Sequence, residues 1–535
     1  MSDGTEPIPP ESTDTDYEVG QDNVQVMGLD IHNPVFAVSA LTIVAFVFFS
    51  LVFREEAGEF FGWLRPALTS NFDWVFMIAC NIFVLFCLFL IVTPLGSIRL
   101  GGAEAKPDYS YMGWFSMLFA AGMGIGLVFW GVAEPISHYG SSLGGIAAED
   151  GLRTDWAPLG AAEGNPEQAR DLAMAATIFH WGLHPWAIYA VVALALAFFS
   201  FNRGLPLTMR SVFYPIFGEA TWGPLGHIID VLAVFATIFG LATSLGLGAT
   251  QALAGLNYLF DVPVTDGMKV LLIILITVFA LVSVVAGLDK GVKRLSEANM
   301  ILAALLLLLV LVVGPTMLIL SGFFNSLIDY VEQLPSLSNW MGREDTNFMQ
   351  GWTTFYWAWW ISWSPFVGMF IARISRGRTV REFVVCVLLI PTVVGTLWMS
   401  VFGGAALDQV MSGTGQALSD AALELKMFTM FEAFPMTGLL SFIGIILVVV
   451  FFVTSSDSGS LVIDTITAGG KTNAPTAQRV FWCILEGAIA IVLLLGGGLG
   501  ALQAAAVATG FPFAIVLMLM CLSIFIGLTR EKRGK

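Results

Sequence analysis

The chain has 535 residues, of which 57% are hydrophobic and only 12% are charged, with a formal net charge of −16 and a mean hydropathy of +0.81. Soluble globular proteins keep roughly a quarter of their residues charged, so this composition excludes a soluble protein. The apolar residues also occur in runs of about 20, the length of helix that crosses a bilayer core about 30 Å thick. The sequence therefore predicts an all-α polytopic membrane protein with about twelve transmembrane helices.

The predicted spans follow an acidic amino-terminal segment. Residues 1–33 contain eight acidic residues and no Lys or Arg, which favours a disordered, solvated tail over a signal peptide. Residues 531–535 form a short basic tail. Between them we predict spans near 34–53, 74–95, 110–133, 171–199, 228–258, 267–287, 296–322, 352–373, 382–406, 433–466, 478–499 and 502–529.

The loops indicate the orientation of the chain. If the amino terminus is cytoplasmic, most of the 24 Lys and Arg residues fall in cytoplasmic loops and in the carboxy-terminal tail. We therefore expect both termini in the cytoplasm and the chain in the cell (inner) membrane. Residues 323–345 are apolar but interrupted by Asp, Glu and Pro, which predicts an interfacial helix that lies along the bilayer.

Several spans contain helix breakers at mid-depth: Gly122, Gly124 and Gly126 in the third, Pro185 in the fourth and Pro365 in the eighth. A broken helix is tolerated inside a bilayer where its freed backbone groups face protein or a water-filled cavity. The third and eighth spans each begin a block of five helices. We therefore predict two inverted repeats, at about 110–322 and 352–529, that follow two extra helices and hold a site at the midplane.

Aromatic residues cluster in the fourth and eighth spans. The eighth span opens with GWTTFYWAWWISWSPF, which contains five tryptophans, and the fourth contains HWGLHPWAIY from His180 onwards. Such residues usually form interfacial belts or pack helices together, but Trp181 to Tyr189 fall near mid-membrane at 1.5 Å per residue. A quaternary ammonium has no N–H to donate, whereas a desolvated aromatic face attracts it by about 2 kcal/mol or more. The clusters therefore predict a cage for an onium solute, whose carboxylate would bind backbone N–H groups where the helices unwind.

Oxygen ligands for a cation occur in two segments. The tenth span ends with FFVTSSDSGS, and the third contains AAGMGIG. Hydroxyls and the carbonyls of an unwound helix suit sodium, although such hydroxyls also bond to their own helix. Asp457 lies either within the membrane or at the cytoplasmic end of its span.

We expect His180 and His184 to be hydrogen-bonded structural residues, and the five cysteines to be small buried hydrophobes.

Together these segments resemble the betaine/choline/carnitine transporter family over nearly all of residues 34–530. GWTTFYWAWW is similar to the family signature of the eighth span, and GMGIG, HWGLHPWAIY and TSSDS agree at three further places. The resemblance implies a five-plus-five inverted-repeat core and a homotrimer. It also implies a substrate site formed by Trp181, Trp186, Tyr189, Trp359, Trp360, Trp363, Ile125, Gly126 and Ser244.

The resemblance further implies a sodium site between the third and tenth spans, formed by Ala120, Met123, Phe451, Thr454 and Ser455. Met123 and Phe451 would contribute backbone carbonyls. A second sodium site would use Thr237 and Phe366, but Leu241 stands where the family has a second threonine. Thr243 or Ser244 would have to compensate, so the sequence leaves the number of sodium ions open.

Two positions bear on substrate and coupling. Choline carriers of the family place Asp where Gly126 stands, so its absence favours a zwitterion. Sodium-independent carnitine exchangers place Arg in the fifth span, and residues 228–258 contain none. We therefore predict secondary uptake of glycine betaine by sodium symport with alternating access. A choline, ectoine, carnitine or dimethylsulfoniopropionate carrier, with proton coupling or exchange, is the alternative.

Other functional classes have less support. The sequence contains no HExxH motif and no paired-acid cluster, so we expect no enzyme. A channel would be distinguished by flux that does not saturate. We expect the lipid bilayer, sodium and a small zwitterion as partners, with no cofactor and no nucleic acid. Only REKRGK follows Thr529, whereas osmosensing members have a long basic helix there, so osmotic activation also stays open.

Overall fold

The computed structural model describes residues 15–122, 124–145, 148–149, 152–153, 160–286, 293–343 and 345–533. These residues are almost all helical. Two short antiparallel hairpins are present, one formed by β1 (Asn23–Val26) and β2 (Leu29–His32), the other by β3 (Ala148–Glu149) and β4 (Leu152–Arg153).

The α-helices are α1 (Asn33–Val52), α2 (Arg54–Val92), α3 (Tyr111–Gly122), α4 (Ile125–Gly144), α5 (Pro166–Trp181), α6 (Leu183–Phe201), α7 (Tyr214–Phe217), α8 (Pro224–Phe260), α9 (Asp266–Ala286), α10 (Lys293–Val313), α11 (Thr316–Ser338), α12 (Thr354–Ile374), α13 (Val380–Met411), α14 (Gln416–Asp420), α15 (Lys426–Phe431), α16 (Thr437–Thr467) and α17 (Thr476–Arg533). A π-helix spans Thr346–Thr353, and 3-10 turns occupy Pro94–Ser97, Gly160–Ala162, Arg210–Phe213, Gly218–Trp222 and Leu423–Leu425.

Within the described residues, nine helical segments are long and apolar enough to cross a membrane. One of them, α17, is kinked at Gly497 and Gly498 and has the length of two spans. The broken pair α3–α4 and the helix α12 occupy the predicted third and eighth spans. The prediction of an all-α polytopic membrane protein with about twelve spans is confirmed. The two predicted blocks of five spans correspond to α3–α10 and α12–α17.

Helix breakers act at two of the three predicted places. The third span ends as α3 at Gly122 and resumes as α4 at Ile125, and the fourth breaks at Gly182, three residues before Pro185. The predicted break at Pro365 is wrong, because α12 continues through this residue. Proline leaves the carbonyl four residues earlier without its helical donor. The Ser364 hydroxyl donates to that carbonyl, on Ile361, at 2.7 Å.

Two predicted boundaries also differ from those of the structure. The seventh span ends at Val313 because Gly314 and Pro315 interrupt it, and the helix α11 from Thr316 to Ser338 replaces the helix predicted over residues 323–345. The second span, predicted at 74–95, belongs to the 39-residue helix α2, which begins at Arg54.

Small residues bring the central helices close together, as in many membrane bundles. A Cβ built on Gly459 of α16 would lie 2.2 Å from the Leu241 side chain of α8, and one on Gly246 would lie 2.4 Å from Leu502 of α17. All five cysteines are free and four are buried, as predicted. The close contacts at Gly459 and Gly246 hold α8 against α16 and α17, next to the cavity described below.

The amino-terminal segment differs from the predicted disordered tail, because residues 15–32 are folded against the bundle. Asp30 forms an ion pair with Lys471 at 2.6 Å, and the Asn23 amide donates to the Ala468 carbonyl at 2.8 Å. His32 lies 2.8 Å from the buried Arg210 guanidinium, between α6 and α8. These partners are more than 150 residues away in sequence, so the composition of the tail alone does not predict them.

Candidate functional site

A cavity lies at the break between α3 and α4. Backbone and side chains of the first residues of α4 form one wall, and aromatic side chains of α5, α6 and α12 form the others. The lining residues are Gly124, Ile125, Gly126, Leu127, Trp181, Tyr189, Trp359, Trp360 and Trp363. The two aromatic clusters, about 170 residues apart in sequence, therefore share one cavity.

The aromatic rings stand nearly perpendicular to one another. The Trp181 and Trp360 centroids are 5.2 Å apart at 81°, those of Tyr189 and Trp360 are 5.2 Å apart at 65°, and those of Trp181 and Trp359 are 6.5 Å apart at 87°. These four residues are at most 8% exposed. Desolvated rings at such angles are suited to surround a compact cation from several sides.

Each indole N–H around the cavity has an acceptor in the surrounding protein. Trp181 donates to Glu134 Oε2 at 2.8 Å and Trp359 to Ser244 Oγ at 3.1 Å. Trp360 donates to the carbonyl of His180 and Trp363 to the carbonyl of Gly240, both at 3.0 Å. Because these bonds occupy the nitrogen edges, the ring faces and carbon edges remain for a ligand.

Gly126 sets how close the backbone of α4 comes to the rings. A Cβ at this position would lie 2.7 Å from Cη2 of both Trp181 and Trp359, so only glycine fits without displacing a ring. Gly124, in extended backbone, precedes α4 and offers no side chain to cap its first N–H groups. A helix amino terminus with free N–H groups favours an anion, which suits the carboxylate of a zwitterion.

Two predicted substrate residues lie one layer behind the cavity. Trp186 packs against Tyr189 at 5.4 Å and against Trp360 at 6.3 Å between centroids. The Ser244 hydroxyl donates to the Gly240 carbonyl at 3.2 Å and accepts the Trp359 N–H. Both can support the lining rings without contacting a ligand.

The predicted sodium residues are only partly described. Met123 lies outside the described residues, and Ala120 lies in the last turn of α3. In α16 the Thr454 hydroxyl bonds to its own helix, at 3.1 Å from the Val450 carbonyl and 3.0 Å from the Phe451 carbonyl. Its oxygen lone pairs remain available to a cation.

Asp457 follows closely in the same helix and is 1% exposed. It accepts a hydrogen bond from Ser283 of α9 at 2.5 Å. It lies ten residues before the end of α16 at Thr467.

The second predicted sodium position has Leu241 where a second threonine is needed. The Thr237 hydroxyl donates to the Ala233 carbonyl of its own helix at 2.7 Å, and the Phe366 ring packs against Trp363 at 5.5 Å. Leu241 fills the space beside Gly459. The Thr243 hydroxyl lies 2.8 Å from the Phe239 carbonyl and 3.0 Å from the Leu502 carbonyl, and the Ser244 hydroxyl accepts the Trp359 N–H at 3.1 Å.

Sequence reasoning missed Glu134, which binds Trp181 from outside the cavity. The signal was present, because an acidic residue inside a span is functional by default. The third span, however, was predicted to end at residue 133. His180 and His184 are hydrogen-bonded, as expected, the first to Glu134 at 2.6 Å and the second to Asn81 at 3.0 Å.

Comparison with known proteins identifies the family of the chain. The family model described as the betaine/carnitine/choline family transporter matches residues 34–533. A glycine betaine/proline/choline transporter of Vibrio parahaemolyticus is 63% identical over 524 residues, which cover 97% of this chain and 95% of that protein.

The chain belongs to the betaine/carnitine/choline transporter family. It is similar to two further members of this family. Glycine betaine transporter 1 of V. parahaemolyticus is 55% identical, with coverage of 97% of this chain and 98% of that protein. A glycine betaine transporter of Bacillus subtilis is 46% identical, with coverage of 87% and 88%. This family member is therefore a multi-pass membrane transporter and not an enzyme, as predicted.

Gly126→Ala should weaken binding in the cage by about tenfold or more, because overpacking by one methyl typically costs 1–3 kcal/mol. The measurement is quenching of tryptophan fluorescence by glycine betaine, used as the onium probe. Gly140→Ala is the matched control in the same helix, since its Cβ would meet nothing within 4 Å. Equal affinity in both variants would contradict the role given to Gly126.

Proposed function

We propose that this chain imports glycine betaine, or a closely related zwitterionic onium solute, by sodium symport with alternating access. The observation that carries the proposal is the aromatic cage beside the break between α3 and α4. The rings suit the onium group, and the free N–H groups at the start of α4 suit the carboxylate. The relatives with glycine betaine in their names support the same substrate class.

The cage also sets the expected affinity. Three or four desolvated faces provide roughly 6–8 kcal/mol of gross attraction at about 2 kcal/mol each. Ordering the solute and removing its water are unfavourable and offset part of this attraction. Binding in the micromolar to millimolar range follows. Choline, ectoine, carnitine and dimethylsulfoniopropionate remain alternative substrates, because a cage of this kind attracts ammonium and sulfonium cations alike.

Sodium coupling is the second part of the proposal. The carbonyls of Met123 and Phe451, the hydroxyls of Thr454 and Ser455, and Ala120 would bind one ion, as in the family. A second ion is not proposed, because Leu241, which packs against Gly459, stands where the family has a second threonine. We further propose a homotrimer in the cell (inner) membrane with both termini in the cytoplasm, from the family resemblance and the distribution of basic residues.

Trp360→Leu should lower the affinity for glycine betaine by on the order of tenfold, because it removes one aromatic face from the cage. Uptake of labelled glycine betaine into proteoliposomes, competed by the other zwitterions, measures this effect. Trp63→Leu is the matched control, since Trp63 is 64% exposed on α2. If Trp360→Leu left the affinity intact, the cage would not be the substrate site.

Replacing external sodium by potassium should abolish accumulation, and uptake should rise hyperbolically with sodium, as for one coupled ion. Thr454→Val, which removes one oxygen ligand at constant shape, should shift the sodium dependence by about tenfold or more. Thr509→Val of α17 is the control, since the Thr509 hydroxyl also bonds only within its own helix. Unchanged uptake without sodium would contradict sodium coupling, and sigmoidal activation would contradict a single ion.

A further inference from the structure

Glu134 is a fully buried carboxylate in α4, about two turns beyond the cage residue Gly126. Four donor groups surround it. His138 Nε2 and His180 Nδ1 lie 3.1 and 2.6 Å from Oε1, while Trp181 Nε1 and the Tyr356 hydroxyl lie 2.8 and 2.5 Å from Oε2. An ionised carboxylate is an acceptor only, with about four lone-pair positions, and these contacts match that capacity.

His180 fits this arrangement as a neutral group. His180 Nε2 lies 2.9 Å from Thr353 Oγ1, so a single tautomer can donate from Nδ1 to Glu134 and accept the Thr353 hydroxyl. The described contacts of Glu134 include no Lys or Arg. Arg343 forms its ion pair with Asp345 at 2.7 Å. With neutral histidines, the cluster has the negative charge of the Glu134 carboxylate.

This charge is separated from the cavity by one ring. The Nε1 edge of Trp181 bonds to Glu134, and the Cη2 edge of the same indole faces Gly126 across the cavity wall. Tyr356, the other donor to Oε2, packs edge-on against Trp181 at 5.6 Å and 75°. Charges act strongly over such short distances in a dry interior, and a hydrogen bond to a carboxylate enriches the indole face in electrons.

We propose that Glu134 is a specificity-determining residue whose carboxylate, behind Trp181, is the counter-charge for the onium group in the cage. The proposal rests on the proposed function and extends its substrate class. A cage with this counter-charge accepts permanent cations that have no carboxylate, such as choline, although position 126 is a glycine. The named substrates of the 63% identical relative include both kinds of solute.

The two kinds of solute respond differently to this charge. Choline has a net positive charge, so loss of the Glu134 charge removes attraction only. Glycine betaine has its own carboxylate, which Glu134 repels, so the same loss removes attraction and repulsion together. The ratio of the two affinities therefore reports the charge, whereas a general disturbance of the cage changes both affinities alike.

Glu134→Gln tests the inference, because it keeps the shape and removes the charge. Inhibition of labelled glycine betaine uptake by unlabelled choline and by unlabelled glycine betaine gives both affinities in one proteoliposome assay. We expect the choline affinity to fall relative to the glycine betaine affinity by on the order of tenfold. Tyr356→Phe, which removes a donor but keeps the charge, should weaken both solutes with little change in the ratio.

Glu486→Gln is the matched control. Glu486 is also a fully buried glutamate, but it lies in α17 and accepts a hydrogen bond from Ser456 at 3.0 Å, away from the cage. This variant should keep the parental ratio. Glu134→Asp, which retains the charge on a shorter side chain, should also keep the ratio even if both affinities fall. If the Gln variant fails to insert, inhibition of the parent chain by choline still tests the inference.

An unchanged ratio in Glu134→Gln, or a choline-selective loss in Glu134→Asp, would overturn the inference. So would a parent chain that takes up glycine betaine but is not inhibited by choline. In each of these cases glycine betaine uptake by the parent would leave the proposed function standing. Absence of glycine betaine uptake by the parent would overturn both together.

Discussion

Each tryptophan at the cavity has one N–H that needs an acceptor once the ring is buried, and the rest of the site depends on how this need is met. The acceptors are the Glu134 carboxylate, the Ser244 hydroxyl and the carbonyls of His180 and Gly240. They lie on α4, α5 and α8, so each bond holds a ring to a particular helix. The bonds thereby keep the rings in their nearly perpendicular arrangement.

The break between α3 and α4 complements the rings. Backbone groups that a continuous helix would use internally become available there, and Gly126 lets the backbone reach the edges of Trp181 and Trp359. One side of the cavity is therefore aromatic and the other is backbone. Such a division matches a zwitterion, whose cationic end cannot donate a hydrogen bond and whose anionic end requires donors.

Much of this could be predicted from the sequence, because local patterns encode it. The length of the apolar runs predicts the membrane bundle, and GWTTFYWAWW and HWGLHPWAIY predict the cage. What the sequence missed depends on contacts between distant segments. The Ser364 hydroxyl keeps α12 continuous through Pro365, and Arg210 and Lys471 hold the amino-terminal hairpin in place. Likewise, spacing alone does not show that the Ser244 hydroxyl accepts the N–H of Trp359.

The claim at the centre of this account is that aromatic faces select the positive charge of the solute rather than its shape. Glycine betaine and 3,3-dimethylbutyrate test it, because the second replaces the ammonium nitrogen by carbon and keeps the methyl groups and the carboxylate. Their inhibition of labelled glycine betaine uptake should differ by about a hundredfold or more, since three or four cation–π contacts are lost. Comparable inhibition by the two compounds would contradict the account.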